Sequence, residues 1–298
     1  MDVNEALALL ADESQRLDAV VADLPAEQWK LPTPATGWTI ADQIAHLHWT
    51  DLVSVQTVRG DPAFAALVAD MRADPRPALV DEEAHRLAGQ APAELLAQWR
   101  AGREALAQAL AAADPAAKIA WFGPPMRPLT MATARVMETW AHSLDVCDAL
   151  GLDKPATDVL AAVARIGCRT RGFAFASRGL EVSTAEVRVE LALPHGSFAE
   201  GPADAPERIM GNAWGFAAVV TQRRSPADVD LAIVGEGARH WMEIAQAFAG
   251  APTQGPAPGE RGPARTTGAG RASGASATGD PLVRTPAIGA PAVGSANA

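Results

Sequence analysis

The 298-residue chain contains no tyrosine and only two cysteines, Cys147 and Cys168. Without tyrosine no phenol acid is available to catalysis. Two thiols cannot build a disulfide framework or an all-cysteine zinc site, and they are too few to hold an iron–sulfur cluster. Basic side chains are also scarce. Lys and Arg number 25 against 35 Asp and Glu, a net charge of −10. That balance excludes a nucleic-acid binder held by a basic surface. No stretch approaches the ~20 consecutive apolar residues of a membrane helix. The first twenty residues lack a basic segment followed by a continuous apolar run. No signal peptide is expected, and a cytoplasmic protein is the default.

Apolar residues make up 48% of the chain, ample for a core, and the length suggests about two domains. Gly and Pro are concentrated after Gly250. Residues 251–298 hold nine Gly, seven Pro and no aromatic residue. Such a segment cannot bury enough apolar surface to offset the entropy of ordering it, and a disordered tail is expected. The rest divides by pattern into a helical part, residues 1–152, and a small α+β part, residues 153–250.

In the first part, Leu7, Leu10, Leu17 and Val21 form one stripe, predicting a helix over residues 2–22. Thr39 with Asp42 opens a second helix with a capping-box pattern, and Gly60–Asp61–Pro62 closes it near Arg59. Shorter helical pieces fill residues 63–90, broken at Pro75 and Pro77. Residues 92–112 and 131–150 are the remaining long helices, separated by the loop WFGPPMRPLT. Four main helices are enough for a bundle. In the second part, helices are expected over 157–178, 206–222 and 238–249. Alternation at Val187, Val189, Leu191 and Leu193, and again at Val229, Leu231 and Ile233, predicts two strands.

Glu138 and His142 lie one turn apart on the fourth long helix and can reach a common point. His46 lies off the main apolar stripe of the second, beside Trp49 and Val53, on a helix with two apolar faces. Such a helix is buried among neighbours. His46, Glu138 and His142 would make a two-histidine, one-carboxylate set that suits Zn²⁺ or another imidazole-accepting divalent metal and leaves positions open. Asp145 is a candidate to orient a ligand. The bland alternative is an intrahelical Glu–His pair and a packed histidine. His48 faces away from His46. His85, His195 and His240 have no ligand-like neighbours, and Cys147 and Cys168 read as packed thiols. Trp121 and Phe122 could line a pocket beside the metal helix.

The segments WTIADQIAHLHWTD and METWAHSLDVCDALG resemble the two signature helices of the mycothiol-dependent maleylpyruvate isomerase family, within the DinB-like metal-binding bundles. The resemblance is strongest in these helices and around WFGPPM. PERIMGNAWGFAAVVTQRR and ARHWMEIAQAFAG resemble an uncharacterised metal-binding branch of that family. The resemblance implies an N-terminal DinB-like four-helix bundle, a smaller α+β C-terminal domain, and a metal triad at His46, Glu138 and His142. It also implies a small thiol, mycothiol, as cosubstrate, and zinc to lower the thiol pKa. The thiol would add to a conjugated double bond, and an arginine would grip a substrate carboxylate. Arg223 and Arg224 are the first candidates for that grip, with Arg127 another. The alternatives are a metal-dependent hydrolase or a non-enzymatic metal- or thiol-binding sensor or interaction module.

Overall fold

The computed structural model describes residues 1–73 and 78–262. Helix α1, Val3–Val21, starts at Asp2, whose side chain accepts from the Glu5 backbone while Glu5 reaches back to the Asp2 N–H. Helix α2, Ile40–Arg59, starts with the same reciprocal pair, Thr39 and Asp42. It ends at Gly60, whose left-handed φ of 69° an L side chain rarely adopts. Helices α3, Pro62–Ala73, and α4, Leu79–Ala88, follow. The predicted break at Pro75 and Pro77 lies outside the described residues. Helix α5, Pro92–Ala112, has the predicted bounds, with proline at its first position. Helix α6, Pro128–Leu150, begins three residues earlier than predicted, because Pro128 is pre-set for a first helical turn.

Helices α1, α2, α5 and α6 form the bundle. Helix α1 lies against α5 and α6, and α2 lies against the same two. Between α1, α2 and α5 the core holds Leu17, Trp29, Ile44 and Trp99. A buried ion pair ties α1 to the segment after α6. Glu13 Oε1 on α1 meets Lys154 Nζ at 2.5 Å, and Lys154 also donates to Ser143 on α6 at 2.8 Å.

Beyond α6 come α7, Leu160–Arg169, and α8, Arg171–Ala176, and then strands β1, Val187–Ala192, and β2, Ser197–Glu200. Strand β3, Glu207–Asn212, leads into α9, Ala213–Val220. Strand β4, Leu231–Val234, leads into α10, Glu236–Ile244. The sheet order is β2-β1-β3-β4, with β1 parallel to β3 and the other pairs antiparallel. The helix expected over 206–222 is therefore half strand. Glu207–Asn212 pairs with both β1 and β4, and that pairing outweighs the local helical preference of Glu207, Arg208 and Met210. Residues 194–196 turn the chain into β2, which closes a hairpin with β1. Trp140 of α6 packs against Trp214 of α9, and the shared core continues through Phe216 to Trp241 of α10.

The segment expected to be disordered lies mostly outside the described residues. Its first twelve residues, 251–262, are described and are tied down. Thr253 bonds Gln222 and Gln246, the Gly259 N–H donates to Asp228, and Arg261 reaches α6. Among the described residues, no helix is long and apolar enough to cross a membrane.

Candidate metal centre

Helices α2 and α6 cross with His46, Glu138 and His142 facing each other. One ligand atom from each lies within 4.8 Å of the others. Glu138 Oε2 is 3.2 Å from His142 Nε2 and 3.5 Å from His46 Nε2. The two imidazole centroids are 4.5 Å apart. The Trp38 indole covers both, stacked on His142 at 5.9 Å and tilted against His46 at 5.2 Å. Trp38 is held in turn, because its Nε1 donates to Asp81 at 2.9 Å.

The tautomer of His142 follows from a chain of hydrogen bonds that begins on the Trp38 carbonyl. Thr33 Oγ1 donates to that carbonyl at 3.0 Å. Its proton is thereby committed, so Thr33 accepts from the Gln43 Nε2 amide at 2.8 Å. Gln43 Oε1 is then left as an acceptor 2.5 Å from His142 Nδ1. His142 therefore carries its proton on Nδ1, and in the neutral ring Nε2 presents a bare lone pair to Glu138.

Burial first, then the adjacent His46, pushes the His142 pKa down to about 4. Burial raises the Glu138 pKa, but the hydrogen bonds and positive charge of His142 and His46 as proton-bearing rings lower it by more and hold it well below its ordinary range. At neutral pH a lone pair and a carboxylate oxygen thus stand 3.2 Å apart. Two acceptors at that separation repel unless a cation lies between them. The donor set, two imidazoles and one carboxylate with a neutral, oriented ring, fits a divalent ion of the zinc type.

Beside the cluster lies a cavity of about 560 Å³. His46 and Glu138 form part of its lining. Its walls are largely apolar, with Trp49, Phe122, Met131, Met137, Phe173 and Phe248 prominent. Trp121 and Phe122, named from the sequence as pocket residues, do line it. They form an aromatic group with Phe64 and Trp49.

Arg223 and Arg224, the sequence candidates for a substrate carboxylate, each already hold a carboxylate of the protein. Arg223 bonds Asp145 at 2.8 Å and Arg224 bonds Asp148 at 2.7 Å. Neither is among the residues that line the cavity. Arg127 is exposed at the start of α6. Asp145, expected to orient a ligand, is 3.9 Å from His142 Nδ1 and is bound instead by Arg223 and Arg261. Gln43 has the orienting position. It sits one turn before His46 on α2, but an uncharged amide carries no sequence signal for such a role.

The other histidines lie elsewhere. His48 is buried, with its ring beside Gly102 of α5, where an added Cβ would come within 3.1 Å of Nδ1. His85 bonds Asp42, His195 bonds Asp158, and His240 packs edge-on against Phe175. Burial pushes both cysteine thiols up, so neither is a ready thiolate.

The chain is thus a mainly helical protein whose bundle brings two histidines and one carboxylate together. The profile of the mycothiol maleylpyruvate isomerase N-terminal domain matches residues 10–147, and this part of the chain belongs to that domain family. Two uncharacterized proteins of Mycobacterium tuberculosis, from strains CDC 1551 and H37Rv, are each 49% identical to it over 250 residues. Those matches cover 84% of this chain and 97% of each relative. Among solved structures, the mycothiol-dependent maleylpyruvate isomerase is similar with a TM-score of 0.54 at 14% identity. It covers 75% of this chain and 90% of its own. A histidine-to-alanine mutant of that enzyme matches with the same TM-score and identity. At that identity the likeness is one of fold.

Proposed function

We propose that the chain is a metal-dependent enzyme of thiol chemistry, an isomerase or transferase that adds a small thiol to an electrophilic substrate. The observation that carries this reading is the meeting of His46 Nε2, Glu138 Oε2 and His142 Nε2 beside a largely apolar cavity. Zinc is the metal the donor set suits. Mycothiol is the cosubstrate proposed, because the structurally similar isomerase is by name mycothiol-dependent. When bound, a divalent cation would supply the Lewis acidity that brings a small thiol to its nucleophilic form near neutral pH.

The chain's own residues have separate tasks. His46 and His142 offer neutral nitrogens, and Glu138 offers the negative charge that the cation balances. Gln43 fixes the His142 proton on Nδ1, and Trp38 shields both rings. The apolar walls exclude water, so an entering thiol competes with little hydrolysis. Among the described residues, the cavity lining contains no cysteine, serine or lysine. An external thiol would supply the thiolate that such a lining lacks.

The test is turnover of a conjugated cis-enoate by zinc-loaded protein with and without mycothiol. The expected result is isomerisation or adduct formation that needs both thiol and zinc and is lost in Glu138→Ala. Turnover without thiol would point instead to hydrolysis. Bound zinc with no turnover on any thiol substrate would point to sensing.

A further inference from the structure

The backbone at Trp38 is pinned on both sides. Its N–H donates to the Ala35 carbonyl at 3.0 Å, and its carbonyl accepts from the Thr33 N–H at 2.8 Å and from Thr33 Oγ1 at 3.0 Å. The indole has a single polar atom, Nε1, and it donates to Asp81 Oδ1, 43 residues on, at 2.9 Å. The acceptor is firmly placed too. Asp81 stands in the first turn of α4, whose Ala84 and Leu87 are buried. One turn on, His85 Nδ1 meets Asp42 Oδ1 of α2 at 2.8 Å. Water can satisfy a half-buried indole N–H. A carboxylate on a fixed helix binds it more strongly and holds the ring to one orientation. In that orientation the indole lies 18° from the His142 plane and 53° from the His46 plane. The cavity lining includes His46 and Glu138 but neither His142 nor Trp38. The indole therefore closes a part of the cluster that the cavity does not reach. Packing accounts for an aromatic ring beside two imidazoles, but not for tying its one polar atom to α4.

We infer that Asp81 is a positioning residue for the metal centre: its bond to Trp38 latches the indole over His142 and His46, and the latch slows the escape of a bound metal and the entry of solvent on that side. The metal part of this rests on the proposed function; the cover over His142 does not. His142 is 8% exposed with the indole in place. With the bond broken, the indole is free to take other side-chain rotamers, and the ring beneath it is uncovered each time it does.

The experiment measures two rates on the full chain in wild type, Asp81→Ala, Asp81→Asn, Trp38→Phe and the double variant Trp38→Phe, Asp81→Ala. One is zinc dissociation into excess chelator, followed by stopped flow. The other, on zinc-free protein, is carbethoxylation of His142 by diethyl pyrocarbonate, followed by peptide mass mapping. Asp81→Ala and Trp38→Phe should each raise both rates about three- to tenfold, the range of one net hydrogen bond. Asp81→Asn keeps an acceptor and should stay close to wild type. The double variant should be no faster than the faster single variant, because both changes break the same bond. Trp38→Phe removes the donor without touching α4, so a folding defect in Asp81→Ala leaves the test intact. Rates that multiply in the double variant, or Asp81→Asn as fast as Asp81→Ala, mean that the two residues act separately and overturn the latch. Unchanged reactivity of His142 overturns it as well, and zinc binding in that case leaves the metal centre standing. Raised His142 reactivity with unchanged zinc dissociation overturns the hold on the metal. If the wild type binds no zinc while His142 reactivity follows the expected pattern, the cover stands and the metal reading fails.

Discussion

Gln43 Oε1 accepts from His142 Nδ1 at 2.5 Å, so an amide on one helix decides which nitrogen a histidine on another leaves free. The amide is itself fixed by Thr33, and Thr33 by the carbonyl of the tryptophan that covers the site. The orientation of the proposed ligand set is thus written into the loop that precedes α2.

Replacing Gln43 by Leu removes the acceptor and keeps most of the volume. Zinc affinity should fall about 10- to 100-fold, the usual cost of losing a group that orients a metal-bound histidine. Competition with a chromogenic chelator measures it. Gln43→Glu, which keeps an acceptor, should retain much of the affinity. Unchanged affinity in Gln43→Leu would remove the amide from the account.

Lys154 is 5% exposed and faces Glu13, which is 1% exposed. Lys154→Met leaves a buried carboxylate without its cation and should cost about 3–5 kcal/mol. The double variant Glu13→Gln, Lys154→Met should recover part of that loss, because no uncompensated charge remains. Urea unfolding of the wild type and both variants checks the ordering.

Asp18 carries the acid response of the α1–α5 contact. A hydrogen bond from Arg100, joined by Arg103, holds its carboxyl below the usual range. A carboxylate with a depressed folded pKa stabilises the protein above its unfolded pKa of about 3.9 and loses that contribution as pH falls through the folded value. Asp18→Asn should therefore be less stable than wild type at pH 7. The difference should shrink as pH falls below about 4. Thermal melts across pH 3–7 would show it, and a constant difference would contradict it.

Gly167 lies where α7 meets α9. An added Cβ would stand 2.9 Å from Val220 Cγ2 and 3.0 Å from Phe216 Cε1. Gly167→Ala raises helix propensity by roughly 1 kcal/mol, but overpacking a core costs about 1–3 kcal/mol. The melting temperature should drop. A rise would mean that the two side chains yield at little cost.

Much of the bundle was legible because its signals are local. Thr39 and Asp42 name the start of α2, Gly60 its end, and Gly151 the end of α6. The Glu138–His142 spacing and the inward face of His46 made the three a candidate cluster, and the family resemblance named them as a set. What stayed hidden depends on partners remote in sequence. Glu207–Asn212 is a strand because two other strands flank it. Arg261 lies in a segment whose composition reads as disordered, yet its guanidinium is bound by both Asp145 and Asp148. Arg223 and Arg224 read as free cations because nothing local reveals that these same aspartates claim them.

X-ray absorption at the zinc edge on stoichiometrically loaded protein tests the central claim most directly. The account predicts a first shell of two imidazole nitrogens with carboxylate oxygen, and loss of tightly bound zinc in His46→Ala, Glu138→Ala and His142→Ala alike. An unchanged spectrum and stoichiometry in any of those three variants would contradict it.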